Sequence, residues 1–350
     1  MGRGLGRGAL SLINLLRKKN RKLLFTTPSH GQRFYIFSKF RQFYKYDISE
    51  TDTHNPGEAL YAAEKRSTKI YGTKYTKFLT NGSTSGIIAS VLSCTNKGDK
   101  VLIWKDAHPS HLNAVKLAGC EPIFYDLPID TEWGIPSKTT TDLIDVKGVK
   151  AVIITSPTYE GIVSDIEKIK AICKKNKSYL IVDEAHGALY PFSNQLPQSA
   201  VNIADFTIHS LHKTAGGLNP TALLHSNCDI DPSKSLSMIN TTSPSYPLLT
   251  SIEANINYLN SQKGRKKIEE LINNIVQLRQ SCTNIEFGGN DITKILIKRQ
   301  RLSGFELSEK LFDKFCIEDE KTNEISTMLL CGIGTTKQKI QKLALALKKL

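Results

Sequence analysis

The sequence predicts an α/β chain, with a larger unit built on a mostly parallel, seven-stranded sheet and a small C-terminal α+β unit. Three observations predict it. From about residue 74, short β-branched or aromatic runs alternate with stretches of helical period, the pattern of a sheet whose strands are joined by helices. The later runs, A-V-I-I-T and Y-L-I-V-D, are almost wholly apolar, as strands are when helices cover both sheet faces. After about residue 245 this alternation gives way to long helical periods and isolated apolar runs.

In chain order, the candidate strands are 75–80, 100–104, 121–125, 151–156, 179–183, 206–210 and 221–225. The segments 85–94, 110–118 and 165–176 between them are amphipathic and read as helices. Beyond residue 245 a long helix is expected over 251–281, broken near Lys263-Gly264, followed by a strand at 293–298 and a helix at 302–315. The apolar run 325–330 and a last helix, capped by Thr335 or Thr336, complete the chain. The expected division is a basic N-terminal helix or arm (1–24), the larger unit (25–245) and the smaller one (246–350).

With 350 residues and 40% hydrophobic content, the chain is long enough to bury a sizeable core, which excludes disordered, collagen-like and low-complexity classes. No run of about 18 apolar residues occurs, so no membrane span is expected. The seven cysteines are odd in number, scattered and free of any C-x-x-C pair, which argues against a disulfide framework and a zinc knuckle. A reducing cytoplasm is the expected compartment. Of the net charge of +14, residues 1–22 carry +7 and residues 335–350 carry +5, leaving +2 between them. Solvated tail charge is the favoured reading, and no nucleic-acid partner is expected.

The residues that carry chemistry sit at or just past strand ends. Asn81-Gly82-Ser83-Thr84-Ser85-Gly86 is a hydroxyl-rich turn opening a helix, where N–H groups and the helix dipole favour a phosphate, although an ordinary N-capping turn reads the same way. Asp106-Ala107-His108 follows the second strand, Asp183-Glu184-Ala185-His186-Gly187 the fifth, and His209-Ser210-Leu211-His212-Lys213-Thr214-Ala215-Gly216-Gly217 the sixth. A phosphate cup, an imidazole able to stack on a ring, a carboxylate ending an apolar strand and a lysine in a His/Ser/Gly-rich turn are together what pyridoxal 5′-phosphate requires of a protein. His186, His209 and His212 show no recognised metal-ligand spacing, and no metal is expected.

The order T-N-G-S-T-S-G, D-A-H-P-S-H, S-P-T-Y-E-G-I-V-S-D-I, I-V-D-E-A-H-G-A and H-S-L-H-K-T-A-G-G resembles the ornithine/lysine/arginine decarboxylase family of fold-type I pyridoxal-phosphate enzymes. Upstream, F-T-T-P-S-H-G-Q and Y-D-I-S-E-T-D-T-H-N-P resemble that family's T-P-G-H-K and its following segment. The resemblance runs from about Phe25 to His225. It implies an aspartate aminotransferase-like fold for the larger unit, decarboxylation of lysine, ornithine or arginine, and a homodimer or higher homo-oligomer. It further implies that Lys213 bonds to the cofactor aldehyde, Asp183 pairs with the pyridine nitrogen, His108 stacks on the ring and Ala185 packs beneath it. Thr84, Ser85, Ser210 and His212 would hold the phosphate with Ser83 beside them, His186 would support Asp183 or the cofactor, and His212 or Lys213 would return the proton to Cα.

The sequence departs from that family at several places. Ser29 and Gly31 replace the glycine and lysine of T-P-G-H-K, Ile87 and Ile88 follow the T-S-G turn, and Leu211 stands where a threonine is common. Only 125 residues follow His225, a shorter C-terminal region than most relatives carry. Two other readings stand beside decarboxylation: another fold-type I reaction, such as aminotransfer or carbon–sulfur lyase chemistry, and a catalytically silent relative that regulates a decarboxylase.

Overall fold

The computed structural model describes residues 11–19, 39, 41–48 and 58–350. The F-T-T-P-S-H-G-Q segment, with Thr27, Pro28, Ser29, His30 and Gly31, lies outside the described residues, as do residues 1–10 and 20–24 of the basic arm and 49–56 of the segment that follows.

Helices α1 (Leu12–Lys19), α2 (Arg41–Tyr46) and α3 (Glu58–Tyr71) lead into β1 (Tyr75–Leu79), α4 (Gly82–Cys94), β2 (Lys100–Trp104), α5 (Pro109–Leu117) and β3 (Glu121–Tyr125). A short hairpin, β4 (Ile129–Asp130) and β5 (Ile135–Pro136), precedes β6 (Ala151–Thr155), α6 (Ile166–Lys175), β7 (Tyr179–Asp183), β8 (Phe206–Ser210) and β9 (Ala222–Ser226). These strands form a seven-stranded sheet in the order β1-β9-β8-β7-β6-β2-β3. Its four pairings from β8 through β3 are parallel, and only β9 runs against its neighbours. All seven expected strands are present, each within one residue of its expected bounds.

The apolar runs bury both faces because successive strand residues point in opposite directions. Ala151 and Ile153 of β6 join a core with Ile87 of α4 and Ala114 of α5, whereas Val152 and Ile154 join one with Ile169 and Cys173 of α6. Each aliphatic side chain buried in this way contributes roughly 1.5–3 kcal/mol. The departure at Ile87 therefore serves packing.

The chain continues through α7 (Ser233–Ile239), α8 (Tyr246–Asn260), α9 (Gln262–Ser281), β10 (Glu286–Gly288), β11 (Lys294–Lys298), α10 (Gly304–Phe315), β12 (Lys321–Thr322), β13 (Thr327–Leu330) and α11 (Lys337–Lys349). Four of these strands make a small antiparallel sheet, β10-β11-β13-β12. Thr336 caps α11 by accepting from the Lys339 N–H, one of the two expected caps. The expected break in the 251–281 stretch is present but falls at Ser261, a little before Lys263-Gly264, and the Ser261 hydroxyl caps α9 through the Gly264 N–H at 3.1 Å. Gly264 does not break the helix; a Cβ there would lie 2.0 Å from the Tyr258 carbonyl oxygen, so glycine lets the two helices close up.

One apolar core crosses the expected boundary at 245. It joins Phe78 of β1 and Leu223 of β9 to Leu249, Ile252 and Ile256 of α8, and to Leu12 and Leu16 of α1. Buried Glu253 of α8 fixes that arm, accepting from the Leu12 N–H at 2.8 Å and from Arg66 at 2.7 Å.

Candidate active site

The register of the large sheet brings distant turns together. Ala222 of β9 lies opposite both Leu79, the last residue of β1, and Ser210, the last of β8. The turn entering α4 and the turn carrying Lys213 therefore flank one backbone position. They are tied there by the Gly82 N–H donating to the Pro220 carbonyl at 2.8 Å and by His212 Nδ1 donating to the Thr221 carbonyl at 3.0 Å. Asn81 provides no side-chain cap for α4, so the positive end of the helix is left facing this turn. Ser83 is half-buried, Thr84 is exposed, and Ser85 is buried with its hydroxyl donating to the Gly82 carbonyl at 2.8 Å. Ser210 is wholly buried, and its hydroxyl has no hydrogen-bond partner.

Lys213 lies in a π-helical turn, Leu211–Ala215, closed by Gly216 at φ +84°. The next residue, Gly217, leaves no room for a side chain: a Cβ there would sit 2.5 Å from Thr221 Oγ1 and 2.8 Å from Leu211 Cβ. The two glycines thus let the chain turn back to Thr221, and Leu211 is buried beneath them. From the other side, the Ile333 N–H donates to the Thr214 carbonyl at 2.8 Å and Asn255 Nδ2 to the Ala215 carbonyl at 2.6 Å. Lys213 Nζ reaches His186 Nε2 at 3.0 Å. Burial and the charge of Lys294 lower the lysine pKa against the opposing pull of Asp183 and Glu320.

Asp183 ends β7 and is buried, with Oδ2 3.0 Å from His111 Nε2 and Oδ1 accepting from the Ala185 N–H at 3.1 Å. Burial alone would raise its pKa, yet the hydrogen bond and field of His111, the charge of Lys213 and the Ala185 N–H together hold it at about 2. His108 occupies the N-cap of α5, exposed, with Nδ1 accepting from the Ser110 N–H at 3.2 Å. Partial burial lowers its pKa; Asp183 opposes that shift and Lys213 adds to it.

His186 is buried, and its pKa is pushed well below the ordinary value by burial and then by the charges of Lys213 and Lys294. Its ring lies 4.7 Å from that of Tyr159, whose hydroxyl donates to Glu320 at 2.5 Å. The structure thus brings Lys213 against His186 and sets both, with Asp183 and His108, at the C-terminal ends of β7, β8 and β2, with Ser210, His212 and the start of α4 alongside. It does not gather the three histidines weighed as metal ligands. His186 faces Lys213, His212 faces Thr221, and His209 faces Glu184 at 2.6 Å. A cavity of about 930 Å³ between the 316–320 loop and α11 includes Glu320 but is otherwise lined by residues outside this group, such as Ile317 and Leu343.

Sequence reasoning missed His111, although D-A-H-P-S-H contains it. Its signal was a histidine among the inward-facing positions of a short helix, beside Ala114 and Val115. Tyr159 and Glu320 were also missed, since Glu320 comes from a loop more than a hundred residues after Lys213.

The family model for Orn/Lys/Arg decarboxylase, major domain, matches residues 17–302. The chain belongs to the Orn/Lys/Arg decarboxylase family. It is 28% identical over 340 residues to the YaaO protein of Bacillus subtilis (strain 168), covering 89% of this chain and 71% of that one. It is 27% identical over 325 residues to the arginine decarboxylase of Halalkalibacterium halodurans, covering 85% of this chain and 66% of the relative. Its structure superimposes on lysine decarboxylase A from Pseudomonas aeruginosa with a TM-score of 0.84 at 19% identity, covering 98% of this chain and 60% of that chain. The chain thus spans about two thirds or less of the arginine and lysine decarboxylases named here. The architecture is the α/β fold of lysine decarboxylases and aminotransferases.

Family and fold imply pyridoxal 5′-phosphate, and the residues present fit it. The buried Ser210 hydroxyl without a partner beside the uncapped start of α4 is a place where phosphate oxygens would supply the missing acceptors. The ionised Asp183 suits a protonated ring nitrogen.

Proposed function

We propose that this protein is a pyridoxal 5′-phosphate-dependent decarboxylase of a basic amino acid, releasing carbon dioxide and the corresponding amine from lysine, ornithine or arginine. The observation that carries this reading is the placement of Lys213, in the turn just past β8, beside Asp183, which ends the neighbouring strand β7 and is held ionised by its hydrogen bonds to His111 and the Ala185 N–H. In this reading Lys213 provides the amine that holds the cofactor aldehyde, and its lowered pKa keeps a larger share of Nζ unprotonated and reactive. Asp183 holds the proton on the ring nitrogen. Bound there, the cofactor would supply the electron sink for the pair released when the Cα–carboxylate bond breaks.

His108 and Ala185 would hold the two faces of the cofactor ring, and Ser83, Thr84, Ser85, Ser210 and His212 would hold its phosphate. His212 spends Nδ1 on Thr221, which leaves Nε2 for the phosphate or for returning a proton to Cα; Lys213 Nζ is the other donor for that step. His186, whose Nε2 lies 3.0 Å from Lys213 Nζ, would support the cofactor from the lysine side. Glu320, which accepts from the Tyr159 hydroxyl, supplies negative charge on the Tyr159 side of the group for a cationic substrate tail, whereas the neighbouring Glu160 is already paired with Lys321 at 2.5 Å. We further propose the division at 25–245 and 246–350, a homo-oligomeric assembly and a cytoplasmic location. Among the described residues no helix is long and apolar enough to cross a membrane.

The test is carbon dioxide release from lysine, ornithine and arginine measured side by side on protein loaded with the cofactor. Release from one of them is expected. Lys213→Ala should lose the yellow colour of lysine-bound cofactor and cut turnover by on the order of 10³-fold or more. Bound cofactor with no release from any of the three would point to another fold-type I reaction or to a silent relative.

A further inference from the structure

We propose that His111 is a positioning residue, fixing the Asp183 carboxylate in the orientation that the cofactor's ring nitrogen requires. The proposal rests on the cofactor reading above and adds a residue to which the sequence motifs gave no role.

His111 stands three residues after His108, one turn into α5, with its N–H donating to the His108 carbonyl at 3.0 Å. Of these two imidazoles, that of His111 is the one that reaches Asp183, whereas that of His108 bonds Ser110. His108 is exposed, whereas the His111 side chain is fully buried. Among the described residues the polar contact of the His111 side chain is Asp183 Oδ2 at 3.0 Å, and its Nδ1 is buried without a partner.

An imidazole placed for packing alone would be a poor choice here. Neighbouring buried positions of α5 hold Ala114 and Val115, and a buried ring nitrogen without a partner carries a desolvation cost that an aliphatic side chain avoids. What histidine provides and leucine does not is an N–H directed at Asp183. With the Ala185 N–H on Oδ1 and His111 Nε2 on Oδ2, the two oxygens are held at both ends and the carboxylate cannot rotate. The remaining lone pairs then point in fixed directions, so a ring N–H meets an acceptor already in place.

The test titrates two ligands into apo-protein: pyridoxal 5′-phosphate and its deaza analogue, in which carbon replaces the ring nitrogen. Wild type should prefer the natural cofactor. His111→Leu should lose about tenfold of that preference through weaker cofactor binding, with binding of the analogue unchanged. His111→Gln, which keeps an N–H within reach, should retain most of it. An equal loss of both ligands, or an unchanged ratio, overturns the proposal, because a packing role affects the two ligands alike. Should His111→Leu fail to fold, nitrogen-15 histidine spectra of the wild type decide. The cofactor must shift the His111 Nε2 resonance and the analogue must not, and the same response to both overturns the proposal. A wild type that binds neither ligand overturns the cofactor reading as well; binding with a failed ratio overturns the role of His111 alone.

Discussion

Two adjacent carboxylates at the end of β7 each hold a buried histidine, and the difference between the pairs separates the frame of this protein from its site. Glu184 is fully committed. Its Oε2 lies 2.6 Å from His209 Nε2 and accepts from Ser199 Oγ at 2.5 Å, while Oε1 accepts from the Ala200 N–H at 2.8 Å. His209 Nδ1 continues to His225 Nε2 at 3.2 Å, His225 Nδ1 to Thr76 at 2.9 Å, and Thr76 to Thr73 at 2.8 Å, crossing from β7 to β1. In this network each imidazole uses both nitrogens. Around Asp183, by contrast, His111 Nδ1, His186 Nδ1 and Ser210 Oγ all lack partners. Buried polar groups are normally satisfied, so a closed network marks structure, and a cluster of unmet groups at strand ends marks a place built for something else.

That contrast can be broken first at Glu184. Glu184→Leu strands His209 and should lower unfolding stability by about 3–5 kcal/mol in urea denaturation; a variant as stable as wild type would remove the distinction. The second test uses pH. His225 is held neutral, its pKa pushed well below the ordinary value by burial and then by His209. Its contribution is therefore present above about pH 6.5, where the unfolded chain is also neutral, and is lost as pH falls below that value. Asp183, depressed from 3.8 to about 2, contributes about 2 kcal/mol that is present above about pH 4 and lost as pH falls through 2. Acid titration of apo-protein stability should show both limbs, with His225→Gln flattening the upper and Asp183→Asn the lower. The smallest effect belongs to Ser210→Ala. Removing a hydroxyl without a partner should leave apo stability unchanged or slightly higher, while cofactor affinity falls by about 1 kcal/mol, read by absorbance titration.

The large sheet was legible because its strands are short, apolar and bounded by turns, so 75–80 through 221–225 could be placed within a residue. The two- and three-residue strands β4, β5, β10 and β12 are too short to carry a period. The α8–α9 junction was misplaced for a specific reason. Glycine in a helical stretch reads as a breaker, yet Gly264 is a contact residue, and the true signals were Ser261 as a cap and Pro247 in the first turn of α8. At the site, ordered motifs singled out Lys213, Asp183 and the residues at the α4 turn. His111 stayed hidden because motif reading gave a role to one histidine of D-A-H-P-S-H and left the other, inside the amphipathic 110–118 stretch, without one.

The lysine turn carries a consequence for biosynthesis. The carbonyls of Thr214 and Ala215 find their donors in Ile333 and Asn255, so the segment bearing Lys213 gains its full set of hydrogen bonds only when residue 333 of 350 has left the ribosome. The geometry of the turn is thereby completed late in the life of the nascent chain. A polypeptide stalled or clipped after the seventh strand of the large sheet would carry the Lys213 turn with neither carbonyl anchored.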